Sequence, residues 1–357
     1  MLPLFLILFF LLLINLFFIF ILRKENEPYA GQTEYRNISV VIAAKNEFEN
    51  IDLLLESIGN INYPGKNFEV IIVDDNSEDG TFELTEQIIS GKENIRIIKA
   101  AEKKYPGKKG ALEVGIRETK FDYIMITDAD CQPEPDWILS FNAGFSKGYD
   151  LLFGPAPFFE TGTLINKISR FENLRSSILT FSLCRAGLPY SAAARSFGFT
   201  KEAYNKVKGY ENTLETASGD DDLLIREAVK HKLNISCILD DNASVFSETK
   251  NTFKEFVKQK SRHTSTANFY LFKHKILLAL WHSVNLAAVF SPVSLLFFPY
   301  FAFLLPVKLL FDLVVCRLLQ KIFGYKFNLF EIFYLQIVYE FMLVINYLIS
   351  FGRKNKW

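Results

Sequence analysis

The residues of this sequence best suited to chemistry are two carboxylates that end a short apolar run. Tyr123 to Cys131 reads Y-I-M-I-T-D-A-D-C. The β-branched apolar stretch Tyr123 to Thr127 has the character of a buried strand, and it stops at Asp128 and Asp130 with the small Ala129 between them. At the carboxyl edge of a parallel α/β sheet such a pair offers hard oxygen ligands to one divalent cation carrying a phosphate. The same spacing also suits an ordinary polar turn. Asp74 and Asp75 follow another candidate strand, and Lys103, Lys104, Lys108 and Lys109 lie on the stretch between the two pairs. Carboxylates gathered alone would raise one another's pKa, so a divalent metal, together with lysines facing a diphosphate, answers for the charge. The lysines equally suit a solvated loop. A third acidic group, Ser218-Gly219-Asp220-Asp221-Asp222, opens an apolar helical run. A helix N-terminus uses one or two such residues as caps and leaves the third without a capping role.

The elements that must position these groups alternate. Ile38 to Ala43 reads as a first buried strand running into Ala44-Lys45-Asn46-Glu47, and Glu49 to Gly59 carries helical spacing ending at a glycine. Val70 to Val73 is the next strand, followed by a helix through about Ile89, and Ile95 to Ile98 is a third. Glu102 to Leu112, with Pro106, Gly107 and Gly110, reads as a flexible basic loop entering a helix. Strands alternating with helices predict βαβ units and a mainly parallel sheet of nucleotide-binding type.

Apolar residues are concentrated at the two ends. Of the 36 phenylalanines in 357 residues, 20 lie in residues 1–22 and 269–357. Lys plus Arg and Asp plus Glu each number 40, which leaves no electrostatic footprint for nucleic acid. Cys131, Cys184, Cys237 and Cys316 are too scattered for a zinc site or a disulfide framework and fit a reducing compartment. Leu2 to Leu22 is nearly unbroken apolar sequence, long enough to span hydrocarbon, with no charged stretch before it and no small-residue cleavage site after it. Arg23 and Lys24 follow, so the positive-inside rule places the next domain in the cytoplasm. The expected organisation is an anchor at residues 1–24, an α/β domain at 36–250, an amphipathic interfacial segment at 251–275 and a transmembrane block at 276–351. A break is expected at Ser291-Pro292, with Lys308 and Asp312 paired one helical turn apart. Arg353, Lys354 and Lys356 leave two or three C-terminal spans as open alternatives.

Six segments in order resemble the membrane-integrated branch of the family 2 glycosyltransferases, which includes synthases of cellulose, hyaluronan and poly-N-acetylglucosamine. They are Ala43-Ala44-Lys45-Asn46-Glu47, where the family usually opens with Pro; Val73 to Thr81, which matches V-D-D-x-S-x-D-G-T in full; Lys108 to Leu112; Asp128 to Asp130; Gly219 to Leu223; and Gln259-Lys260-Ser261-Arg262-His263, with His where the family has Trp. The resemblance covers about Ser39 to Arg262 and implies a GT-A-type fold, an inverting transferase and a nucleotide-diphosphate sugar donor, uridine-linked, with Mg²⁺ or Mn²⁺ as cofactor. It implies a lipid or glycan acceptor at a bacterial-type plasma membrane. On the same ground Asp220 is the general base, Asp130 with Asp128 holds the metal, and Glu47, Asp74, Asp75, Lys108, Lys109, Asp128, Gln259 and Arg262 bind donor. His263 in place of an acceptor-stacking tryptophan implies a short product. The alternative is a non-catalytic subunit that binds sugar nucleotide within a larger synthase.

Overall fold

Near-continuous β-branched and apolar runs make strands that are buried on both faces, as parallel strands under flanking helices must be. In the computed structural model, which describes residues 2–23, 34–216 and 219–352, these strands are β1 (Ile38–Ala44), β2 (Phe68–Asp74) and β4 (Tyr123–Asp128), with β3 (Ile95–Lys99) a half-buried edge strand beside β2. β5 (Cys131–Pro133), β6 (Leu151–Phe153), β7 (Phe197–Thr200), β8 (Ile235–Cys237) and β9 (Val245–Ser247) follow. The main sheet has the order β3-β2-β1-β4-β7-β6-β8, and β5 pairs with β9 separately. β3, β2, β1 and β4 are parallel, β7 is antiparallel to both its neighbours, and β8 is parallel to β6. The sheet is mainly parallel, as the alternation predicts.

Register places the chemistry. Ala44 of β1 pairs with Asp74 of β2, and Ala43 pairs with Asp128 of β4, so the two carboxylates end flanking strands at one edge. Two strand spacings put their backbones about 10 Å apart. The helix Gly107–Arg117 lies close on this sheet because Gly115 has no side chain: a Cβ there would overlap Val41 and stand 2.8 Å from Val73. The basic stretch is therefore not loop throughout. Pro106 is extended and the helix begins at Gly107, which puts Lys108 and Lys109 in the first turn.

The chain forms two compact units that interleave in sequence. One holds the sheet and comprises Asn26–Phe159 and Ser191–Glu248; the other comprises Met1–Glu25, Glu160–Tyr190 and Thr249–Lys356. The contiguous 36–250 domain expected from sequence is thus interrupted, since the helix Leu164–Arg185 groups with the terminal helices. Among the described residues, two helices are long and apolar enough to cross a membrane: Leu4–Arg23, of mean hydropathy 3.2, and Leu329–Asn346, of mean hydropathy 1.5. Between them the expected break occurs: Phe272–Val289 ends just before 3-10 turns at Ser291–Leu296 and Pro299–Phe303, and Leu304–Leu319 follows. The segment expected to lie on a membrane is a helix at Phe253–Thr266 whose apolar residues Phe256 and Val257 pack with Met342, Ile165 and Ile168 of its own unit. Lys24, Ser218, Arg353, Lys354 and Lys356, on which parts of the sequence reading rest, lie outside the described residues.

Inside the helical unit is a buried charge cluster. Lys308 Nζ lies 2.5 Å from Asp312 and 2.8 Å from Glu340, and Arg175 lies 3.1 Å from Asp312. The expected Lys308–Asp312 pair is there, enlarged to two cations and two anions.

Candidate active site

The loops after β1 and β2 are fastened to each other by the side chains of the D-D-N-S-E-D-G-T segment. The Asn46 N–H donates to Ser77 Oγ, and the Glu78 N–H donates to Asn46 Oδ1, both at 2.9 Å. The Glu47 N–H donates to Thr81 Oγ1 at 2.9 Å, and the Phe48 N–H to Asp79 at 3.1 Å. Asn46 and Asn76 take up the left-handed conformation, φ 56° each, that asparagine tolerates and most residues do not. Asp74 is buried and accepts from the Ser77 N–H at 3.3 Å, so it closes its own turn. Glu47 accepts from Asn50 at 2.7 Å, and Asp75 is paired with Lys103.

Lys108 is the centre of the acidic group. Its Nζ lies 2.7 Å from Asp128 and 2.8 Å from Asp220, joining the end of β4 to the start of the acidic helix. Lysines in the first turn of a helix face the positive end of its dipole, which disfavours them unless carboxylates compensate. Here they do. Burial works against charge on Lys108, yet Asp128 and Asp220 outweigh it and hold its pKa above the ordinary lysine value. Burial likewise works against charge on Asp220, and Lys108 overrides it, keeping this carboxyl below the usual carboxylate range. Asp128 is raised, by burial and by repulsion from Asp130 and Asp220, with Lys108 opposing.

The acidic helix Asp222–Lys230 shares out the three aspartates. Asp221 is its cap, accepting from the Asp222 N–H and the Ala194 N–H, each at 2.7 Å. Asp222 accepts from the Ser191 hydroxyl at 2.6 Å and the Ala192 N–H at 3.3 Å. The cap is therefore filled by Asp221, Asp222 is taken up by Ser191 and Ala192, and Asp220 faces Lys108. The Ser191–Ala194 grip lies about thirty residues away in sequence and has no local signal.

The donor set fits a hard cation. Asp128, Asp130 and Cys131 can bring one ligand atom each within 4.8 Å of one another. Burial pushes the Cys131 thiol well above its ordinary pKa, which leaves the two carboxylates the harder ligands of the three. Two oxygen ligands with open positions suit Mg²⁺ or Mn²⁺ shared with a phosphate.

Not every predicted donor residue joins this group. The Lys109 ammonium is buried against backbone carbonyls at Thr213 and Thr216. Gln259 and Arg262 sit one turn apart on the Phe253–Thr266 helix of the helical unit, Arg262 exposed. Gly110 lies within the helix, where a Cβ would overlap the Tyr105 carbonyl, with its carbon 2.9 Å away. The turn carrying Lys103 can therefore lie directly on the helix carrying Lys108.

Residues 39–206 match the family described as Glycosyl transferase family 2. Glycosyltransferase AglE of Haloferax volcanii is 30% identical over 141 residues, 39% of this chain and 46% of that protein. Dolichol-phosphate mannosyltransferase of Pyrococcus furiosus is 32% identical over 117 residues, 33% of this chain and 32% of its own. The poly-beta-1,6-N-acetyl-D-glucosamine synthase of Staphylococcus aureus is 34% identical over 112 residues, 31% of this chain and 26% of the synthase. The chain thus spans less than half the length of each of these relatives. Among solved structures, mannosyltransferase PcManGT from Pyrobaculum calidifontis, in complex with GDP-Man and Mn²⁺, superposes with a TM-score of 0.58 at 15% identity, covering 97% of this chain and 98% of that one. This last likeness is one of fold. The segment matched by the glycosyl transferase family 2 model spans β1 to β7, with the carboxylates gathered at its strand ends, on a fold of GT-A type.

Proposed function

We propose that the chain is an inverting glycosyltransferase that moves a sugar from a nucleoside-diphosphate sugar to a lipid-linked or glycan acceptor at the cytoplasmic face of a membrane. The observation that carries this is the Lys108 bridge: one ammonium sets the distance between Asp128, at the cation-binding edge, and Asp220, the carboxylate with no capping duty. Asp220 takes the proton of the acceptor hydroxyl as that oxygen bonds to the anomeric carbon. The bond from that carbon to the diphosphate breaks in the same displacement, so configuration inverts and the electron pair leaves with the phosphate. Lys108 lies where it can meet the charge of the leaving group once the donor separates it from the carboxylates. Asp128 and Asp130 would hold a divalent cation there, which when bound would supply Lewis-acid stabilisation of the diphosphate. Glu47 and Asp75, at the ends of β1 and β2, bind the nucleoside portion. Arg262 holds the diphosphate, with Gln259 beside it on the same helix. The uridine preference and a short product, argued from His263, belong to this reading. The helices Leu4–Arg23 and Leu329–Asn346 hold the chain in the membrane.

The test is calorimetry of nucleotide-sugar binding to the purified full chain, with UDP- and GDP-linked donors, in Mg²⁺, in Mn²⁺ and after chelation. Affinity is expected to fall at least about tenfold without metal. Equal affinity in all three conditions would sink the metal-dependent reading.

A further inference from the structure

We propose that Lys109 is a positioning residue that holds the segment leading to the base and is not a ligand of the donor. The proposal rests on the assignment of Asp220 above. Lys109 is 3% exposed, and its ammonium is bonded to the Thr213 and Thr216 carbonyls, the latter at 2.9 Å. Those carbonyls lie seven and four residues before Asp220 in sequence. A lysine carries three donors, so two carbonyls take most of its capacity. Burial pulls its pKa down, and Asp220, Glu215 and Asp221 oppose that.

The same short segment is gripped from its other end. Arg226, in the acidic helix, donates to the Asn212 carbonyl at 2.5 Å and pairs with Glu215 at 2.8 Å. Residues 212–216 are thus tied by one cation preceding the strap in sequence and one following it. Lys108 and Lys109 are consecutive, so a single helical turn holds Asp220 directly and the approach to Asp220 through backbone. Such an arrangement fixes the base without touching the substrate, and small displacements of a base cost rate steeply. A diphosphate ligand would require Lys109 to abandon two buried carbonyls, each costly to leave unpaired.

The experiment compares Lys109→Met, which keeps the stem and loses the donors, with Lys109→Gln, which is uncharged but keeps two donors. Donor affinity and transfer rate are measured for the full chain in the same membranes, and hydrogen exchange is followed on residues 212–216. For Lys109→Met we expect donor affinity within about threefold, kcat at least about tenfold lower, and exchange at least about tenfold faster. Lys109→Gln is expected to recover part of kcat. Should Lys109→Met fold poorly, Lys109→Gln carries the comparison. Loss of donor affinity in proportion to rate in either variant, or unchanged exchange on 212–216, overturns the proposal. Exchange reports the grip whatever the base is, whereas the Asp220 assignment is decided separately by Asp220→Asn. Combining Lys109→Met with Asp220→Asn should cost little more than Asp220→Asn alone, and full additivity would count against positioning through the base.

Discussion

Replacing Asp220 by Asn is expected to lower transfer by about 10²–10⁴-fold, the range typical of losing a general base, while donor affinity changes by no more than a few-fold. Asn preserves shape, and Lys108 keeps its second partner, Asp128, at 2.7 Å. The helix loses no cap, because Asp221 accepts from the Asp222 and Ala194 amides. Asp221→Ala therefore serves as the contrasting variant: it removes the cap at a cost of about 0.5–2 kcal/mol of stability and slows transfer less. Both variants are assayed in one membrane preparation with donor binding measured alongside. If Asp220→Asn transfers at nearly the unmodified rate, or loses binding in proportion to rate, the base is elsewhere and Asp221 is the next candidate.

The second large effect concerns folding. Arg175, Lys308, Asp312 and Glu340 are each almost fully buried, and Asp312 serves both cations. Asp312→Asn leaves Arg175 and Lys308 facing the single charge of Glu340. Removing one partner of a buried pair costs about 3–5 kcal/mol, since the uncompensated charge has no water to turn to. Thermal unfolding of the purified full chain should show this loss. Lys308→Met combined with Asp312→Leu removes one charge of each sign and is expected to cost less than Asp312→Asn alone, because such clusters are held by balance more than by net gain. An Asp312→Asn protein within about 1 kcal/mol of the unmodified one would show that the cluster is relaxed by water.

How much of this was legible in the sequence follows from the range of the forces involved. β1, β2 and β4 announce themselves because parallel strands buried on both faces are apolar nearly throughout, and the turn residues after β1 and β2 bond mostly within those two loops. Asp128 and Asp130 could be singled out by type and position, and Asp220 among its three aspartates by the family resemblance. Lys108 and Lys109 look equivalent in sequence, yet one pairs with carboxylates and the other with carbonyls. Which does which depends on the direction each side chain takes from adjacent positions of a helix, and composition is silent on that. Leu164–Arg185 is polar enough to pass for part of the α/β domain. Its membership of the helical unit rests on Arg175 meeting Asp312, and no local pattern carries a pairing over that separation.

That helix also bears on how the protein can be cut for expression. A fragment trimmed to residues 36–250 would remove the hydrophobic ends and keep Leu164–Arg185, stripping Arg175 of Asp312 and Phe171 of Phe327 and Tyr339. The orphaned helix would present a large apolar face and a bare guanidinium to solvent, a recipe for aggregation. Cutting the helical unit away whole means excising residues 160–190 as well. The helical unit is drawn from three separate stretches of the chain, and trimming the ends removes only two of them.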